Sequence, residues 1–118
     1  MELCCGIGNK SDVGVIDTAT LKILLGSKTA LVLLDARSAQ WDDGRRIAGA
    51  ASLTNEATPE EVSALIPRKD ALILVYCSHS QCGASHRLAK HLAELGYVHV
   101  LKYAAGIEEW AKQGNPIV

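Results

Sequence analysis

Residues 72–97, LILVYCSHSQCGASHRLAKHLAELGY, predict a strand, a short polar loop and a helix, in that order. The apolar run 71–76 is too short for a typical helix and is typical of a strand that is buried on both faces. It stops at Cys77, and a helix is predicted over 83–97, with Gly96 near its end. The stretch therefore places a thiol where a buried strand meets the start of a helix.

The rest of the chain alternates between strand-like and helix-like segments. The clearest helix signal is a capping box, in which Thr58 is followed by Pro59 and, three residues after the cap, by Glu61. Such alternation predicts an α/β fold with a central, mainly parallel β-sheet and helices on both faces. Helices are predicted at 17–27, 58–66 and 106–114, and the other strands at 13–16, 30–37, 51–53 and 98–103.

Chemically useful side chains follow two of the predicted strands. Cys77 comes directly after the strand 71–76, and Asp35 and Arg37 lie at the end of the strand 30–37. In open parallel sheets, sites form at the carboxyl ends of the strands. We therefore expect these three residues to lie near one another at one edge of the sheet.

Composition and charge limit the classes of protein that the chain can represent. The chain has 118 residues, of which 48% are hydrophobic and none is Phe. This length corresponds to one domain and allows a core built from Leu, Ile, Val and Ala. A net charge of -1 gives no electrostatic case for binding nucleic acid or an anionic membrane. No apolar run approaches the roughly 20 residues that a membrane span needs.

The N-terminal residues indicate the compartment that we expect. The stretch MELCCGIGNK has no basic region followed by an apolar one, so it does not predict a secretory signal. A cytoplasmic, reducing location follows, in which the four cysteines are expected to be thiols rather than structural disulfides. We assign residues 1–12 to an N-terminal tail and residues 13–118 to the domain.

The position of Cys77 favours a reactive thiolate. A loop that leads into a helix presents backbone N–H groups without partners inside the helix, and the helix dipole adds positive potential there. This environment predicts a pKa for Cys77 below the free value of about 8.5. A thiolate is a strong nucleophile, and the same N–H groups can hold a substrate oxyanion or a persulfide. The alternative is that Cys77 is a small buried hydrophobic residue.

Three motifs in order resemble the rhodanese family. Around the loop, Tyr76-Cys77, Ser85 and Gly96-Tyr97 are similar to the strand end, helix start and helix end of that family. Upstream, LLDARSAQWDDGRRIAGA (33–50) resembles its Asp-x-Arg strand end and Gly-His-Ile-x-Gly-Ala segment, with Arg46 where His is common. Downstream, YAAGIEEWAKQGNPIV (103–118) resembles its Gly-Gly, Trp, Gly and Pro-Val ending, with Ala105 for the first Gly. The resemblance extends from about Val13 to Val118.

The resemblance implies a single-domain sulfurtransferase in which Cys77 carries the transferred sulfur as a persulfide. The donor would be thiosulfate or a persulfide, and the acceptor would be cyanide, a thiol or a partner protein. No cofactor or metal is implied. Asp35, Arg37 and Arg46 would support the site. The cradle around the persulfide would comprise Ser78, His79, Ser80, Gln81, Cys82 and Gly83.

The loop departs from the family at its sixth position, where Cys82 replaces the arginine that is often present. No Lys or Arg lies between Cys77 and His86, which weakens the case for thiosulfate as donor because arginine holds such dianions best. The same absence argues against a phosphatase. Whether Arg37, Arg46 or Arg87 reaches the site from outside the loop remains open in the sequence.

Cys82 leaves further alternatives open. It could resolve a persulfide on Cys77 by forming a disulfide, or it could pack inward and never meet Cys77. A thiol redox or protein-binding module that uses Cys77 and Cys82 with little turnover is the second functional hypothesis. Cys77, His79, Cys82 and His86 are also possible zinc ligands, but their spacing does not match common zinc motifs.

Overall fold

The computed structural model describes residues 14–27, 30–38, 40, 42–79 and 83–118. Strands and helices alternate along these residues, as the sequence predicts. The elements are β1 (Gly14–Ile16), α1 (Thr18–Gly26), β2 (Val32–Asp35), β3 (Ala51–Ser52), α2 (Pro59–Leu65), β4 (Leu72–Tyr76), α3 (Ala84–Glu94), β5 (His99–Tyr103) and α4 (Gly106–Lys112).

The described strands form one sheet in the order β1-β5-β4-β2-β3, and every neighbouring pair is parallel. Asp35 at the end of β2 is the register partner of Tyr76 at the end of β4. Tyr76 is in turn the partner of Tyr103 at the end of β5. The central strands therefore end level with one another. The predicted parallel sheet, with Cys77 and the Asp35–Arg37 pair at its carboxyl edge, is confirmed.

Helices cover both faces of the sheet, and β4 is buried between them. Ile73 and Val75 belong to the core beneath α2 and α3, whereas Leu74 and Tyr76 belong to the core beneath α1 and α4. All four side chains have 0% exposure. Burial of an aliphatic side chain of this size contributes about 1.5–3 kcal/mol each. The apolar run before Cys77 is thus a strand that is buried on both faces, as predicted.

The capping box predicted at the start of α2 is present. The Glu61 N–H donates to Thr58 Oγ1 at 3.1 Å, and the Thr58 N–H donates to Glu61 Oε1 at 2.8 Å, with Pro59 at the first helical position. α1 begins in a similar way, since Asp17 accepts a hydrogen bond from the Thr20 N–H at 2.8 Å. Local side chains therefore fix where both helices begin.

Predicted and observed elements differ at their ends. β2 is shorter than the predicted strand because the Arg37 N–H donates to Asp35 Oδ1 at 3.0 Å instead of to a neighbouring strand. α3 ends at Glu94 because Gly96 adopts a φ of 100°. The assigned tail, residues 1–12, lies outside the described residues. No described helix has both the length and the apolar composition needed to cross a membrane.

Candidate active site

Cys77 lies at the carboxyl end of the central strand β4 and is 1% exposed. The carbonyl groups of Cys77 and of the next residue, Ser78, both accept hydrogen bonds from the start of α4. The Ile107 N–H donates to the Cys77 carbonyl at 2.9 Å, and the Glu108 N–H donates to the Ser78 carbonyl at 3.0 Å. α4 therefore fixes the first residues of the loop in place.

Gly106 allows this close approach. It adopts a φ of 80°, which L-residues with a side chain rarely take. A Cβ at this position would lie 2.6 Å from the Ser78 carbonyl carbon and oxygen and 2.7 Å from the Cys77 carbonyl oxygen. Both features require glycine. In the sequence, Gly106 matched the second glycine of the family's Gly-Gly motif, but the motif alone did not predict which residues this glycine contacts.

Gly106→Ala is expected to lower the free energy of unfolding by about 2 kcal/mol or more, since it combines an unfavourable φ with overlap against fixed backbone. The matched control is Gly114→Ala, because Gly114 has a φ of 79° but nothing within 4 Å of the added Cβ. The control should lose only the conformational part, about 1 kcal/mol. Urea denaturation of both variants measures the difference. Equal losses in the two variants would show that overlap with the Cys77–Ser78 backbone does not contribute to the free energy of unfolding.

Cys77 is bonded in a disulfide in this structure. The sequence instead predicted a thiol, on the ground that the chain shows no secretory signal. That ground carries no information about which sulfur atoms lie near one another in the fold. The other cysteines of the chain, Cys4, Cys5 and Cys82, lie outside the described residues. The lowered pKa of Cys77 applies to the reduced form and stays a prediction. The roles of Cys82, Ser80 and Gln81 also stay predictions.

Beside the loop, Asp35 forms the centre of a buried charge cluster. Its side chain is 0% exposed and accepts hydrogen bonds from Arg37 Nε at 3.1 Å and Arg37 Nη2 at 2.8 Å. Arg46 Nη1 donates to the same carboxylate at 2.9 Å. The sequence-predicted supporting residues Asp35, Arg37 and Arg46 thus lie together. Neither guanidinium is positioned to bind substrate by itself, because both are already paired with Asp35.

Two further carboxylates extend the cluster towards solvent. Arg37 Nη1 donates to Asp43 at 3.0 Å, and Arg46 Nη2 donates to Asp42. Hydrogen bonds from Arg45 hold the pKa of Asp43 well below its usual range, and the hydrogen bond from Arg46 lowers the pKa of Asp42. Both carboxylates are therefore ionised at neutral pH and balance the two arginines. Sequence analysis did not assign Asp42 or Asp43 a role.

Tyr76 connects this cluster to the strand that carries Cys77. Its hydroxyl accepts a hydrogen bond from the Ile47 N–H at 3.1 Å, and its carbonyl accepts one from the Ala36 N–H at 2.8 Å. Burial raises the pKa of the Tyr76 hydroxyl, so it stays neutral at physiological pH. The segments that carry Arg37 and Arg46 are therefore held against the end of β4.

A cavity of about 480 Å³ opens beside the loop. Its walls come from Ser78 and His79 of the loop, from the residues after β2, from the turn 54–56 and from the start of α3. Arg87 also lines it. A Cβ at Gly83 would lie 2.8 Å from Arg87 Nη1, so the guanidinium folds back over the end of the loop. Of the arginines that the sequence left open, Arg87 is the one that reaches the cavity without pairing to Asp35.

The zinc alternative is not tested by the structure, because Cys82 lies outside the described residues. Among the described residues, no group of at least three His, Cys, Asp or Glu side chains is placed to hold a metal ion.

The fold and site define a class: an α/β domain with a covered parallel sheet and a cysteine at the carboxyl end of its central strand. Within that class, the chain belongs to the rhodanese-like domain family, whose model matches residues 17–113. The predictions of the family, of the fold class and of a rhodanese-type enzyme are thereby confirmed.

Individual relatives agree with this assignment. A sulfurtransferase of Allochromatium vinosum is 33% identical over 90% of this chain and 95% of its own length. The thiosulfate sulfurtransferase GlpE of Actinobacillus succinogenes is 35% identical over 73% of this chain and 74% of its own length. The human single-domain sulfurtransferase TSTD1 shares the fold, with a TM-score of 0.69 and 21% identity over 88% of this chain and all of its own.

Proposed function

We propose that the protein transfers a sulfane sulfur from a donor to a thiophilic acceptor through a persulfide on Cys77. The observation that carries the proposal is the position of Cys77 at the carboxyl end of β4, directly before Ser78 and His79, which line a cavity together with the start of α3. Sulfurtransferases among the relatives of the chain support the same activity.

Backbone N–H groups would stabilise the sulfur anions. Gly83 stands at the N-cap of α3, and among the described residues no side chain caps the first N–H groups of that helix. These groups, together with the N–H groups of Ser78 and His79, are proposed to favour the Cys77 thiolate and then its persulfide.

The reaction proceeds in two displacements. The Cys77 thiolate attacks the outer sulfur of the donor, the sulfur–sulfur bond of the donor breaks, and its electron pair leaves on the remainder of the donor. The acceptor then attacks the outer sulfur of the Cys77 persulfide, and Cys77 departs as a thiolate. The two steps together involve no net oxidation. A cytoplasmic, reducing location suits this chemistry because it maintains the thiolate.

The disulfide at Cys77 must be reduced before the first step, because a disulfide sulfur is not a nucleophile. Protein treated with a reductant and then desalted is expected to transfer sulfur to cyanide, whereas protein oxidised beforehand should be inactive. Initial rates are measured as thiocyanate formed, with thiosulfate or glutathione persulfide as donor. Double-reciprocal plots at several cyanide concentrations should give parallel lines. Intersecting lines would contradict a persulfide intermediate, and equal rates before and after oxidation would contradict the role of the thiol.

The disulfide favours a second candidate function, that of a thiol redox module that uses Cys77 with little turnover. The same assay separates the two. A redox module would cycle between dithiol and disulfide with oxidant and reductant but would form no thiocyanate from either donor.

A further inference from the structure

The cavity lined by Ser78 and His79, the two residues after Cys77, is larger than a small inorganic donor requires. Its volume is about 480 Å³, within the range of roughly 300–1,000 Å³ found for cavities that bind organic ligands. Thiosulfate would fill only a fraction of it. The size therefore indicates a donor with an organic part.

The charges of the lining residues indicate which organic part fits. Arg37 lines the cavity, but its guanidinium is held by Asp35 and Asp43. Arg87 reaches the cavity from α3, and Glu56 reaches it from the turn between β3 and α2. Within the described part of the chain, neither Arg87 nor Glu56 has a side-chain hydrogen bond or an ion pair. The cavity thus presents one positive and one negative side chain that are available to a ligand.

This pairing disfavours a dianion, because Glu56 lines the same cavity and would repel a second negative charge. It matches a ligand that carries a carboxylate and an ammonium group. Arginine is well suited to the carboxylate because it can donate two parallel hydrogen bonds. Neutral polar side chains of Ser38, Thr54, Asn55 and Ser78 also line the cavity, as do the imidazole of His79 and the small residues Ala36, Gly83 and Ala84.

We propose that the donor is the persulfide of an amino-acid thiol, whose carboxylate is bound by Arg87 and whose ammonium group faces Glu56. The inference rests on the proposed function and assigns its donor class. The Cys77 thiolate attacks the outer sulfur of the donor, the donor's sulfur–sulfur bond breaks, and the amino-acid thiolate leaves with the electron pair and takes a proton from water. Cys77 retains the outer sulfur as a persulfide.

The test compares small donors that differ in which charged groups they carry. Persulfides of cysteine, 3-mercaptopropionate, cysteamine and 2-mercaptoethanol carry, respectively, both groups, the carboxylate, the ammonium group and neither. Thiosulfate is included, and cyanide is the acceptor. For the native chain, kcat/KM for cysteine persulfide should exceed that for mercaptoethanol persulfide by roughly tenfold or more.

Two substitutions separate the two contacts. Arg87→Met should raise KM roughly tenfold for the carboxylate donors and leave KM for the cysteamine and mercaptoethanol persulfides unchanged. Glu56→Gln should raise KM about threefold for the ammonium donors alone. Arg68→Met is the matched control, because Arg68 is an exposed arginine paired with Asp70 and does not line the cavity.

Gly83→Ala tests the role of Arg87 in a second way, because it displaces the Arg87 guanidinium without removing it. The added Cβ would lie 2.8 Å from Arg87 Nη1, so the flexible side chain has to move. This variant should raise KM for the same carboxylate donors as Arg87→Met does.

The inference is overturned if the native chain uses all the persulfides equally well, or if Arg87→Met raises KM equally for every donor. Either result leaves the proposed function intact, since sulfur is still transferred. If reduced protein forms no thiocyanate from any persulfide or from thiosulfate, the proposed function fails and the inference fails with it.

Discussion

Cys77→Ser is expected to lower the rate of sulfur transfer by a factor of about a thousand or more with every donor. A serine hydroxyl at neutral pH is not ionised and cannot form a persulfide, so the first displacement is lost. The substitution removes no backbone contact, because Ile107 and Glu108 bind the carbonyl groups of residues 77 and 78. When both proteins are reduced beforehand, so that the native chain also lacks the disulfide at Cys77, the expected loss is in kcat rather than in stability, and thermal unfolding of the reduced proteins should confirm that the variant folds.

Other cysteine substitutions are the controls for this result. Cys4→Ser and Cys5→Ser should retain the native rate of transfer. Cys82→Ser should retain transfer as well, and it should keep a persulfide on Cys77 longer if Cys82 resolves it. Turnover in Cys77→Ser comparable to that of the native chain would show that another thiol carries the sulfur.

Asp35→Asn is expected to lower the free energy of unfolding by about 3–5 kcal/mol. The carboxylate is 0% exposed and accepts hydrogen bonds from both Arg37 and Arg46. Removing its charge leaves the Arg37 guanidinium, whose side chain is only 1% exposed, without its main counter-charge. Because a domain of this kind is stable by only about 5–15 kcal/mol, the loss is a large fraction of the total.

The exposed pair Arg68–Asp70 provides the control for Asp35→Asn. Arg68 Nη2 lies 2.8 Å from Asp70 Oδ2, close to the distances in the buried cluster, but the Arg68 side chain is 77% exposed and the Asp70 side chain 59%. Asp70→Asn should therefore change the free energy of unfolding by less than about 1 kcal/mol. Denaturant titration compares the two variants. Similar small effects for both would show that burial of the cluster does not increase its contribution.

The fold could be predicted because its main signals are local. The apolar run that ends at Tyr76 and the capping box at Thr58 depend on residues that are close in the chain, and both are present. Asp35 and Arg37 could be predicted to pair because they are separated by one residue at the end of one strand. The position of Cys77 directly after that run already marked it as a candidate nucleophile, and the family resemblance added the role of carrying a transferred sulfur.

Other features of the site depend on contacts between distant segments. The Ile47 N–H reaches the Tyr76 hydroxyl across 29 positions of sequence, and Gly106 is fixed by the backbone of Ser78. Arg87 could be named as a candidate, but whether its flexible side chain folds towards the loop or into solvent depends on tertiary packing. Glu56 was not considered, because an acidic residue in a turn has no distinguishing pattern. The disulfide at Cys77 depends on the positions of sulfur atoms, which spacing alone does not determine.

The most direct test of Cys77 as the sulfur carrier is the intact mass of the reduced protein after brief incubation with a donor and removal of the excess. We expect a gain of one sulfur atom, about 32 Da, with thiosulfate or with glutathione persulfide. The added mass should map to the peptide that contains Cys77, persist in Cys82→Ser and be absent from Cys77→Ser. No added sulfur with either donor, or added sulfur that persists in Cys77→Ser, would contradict the account.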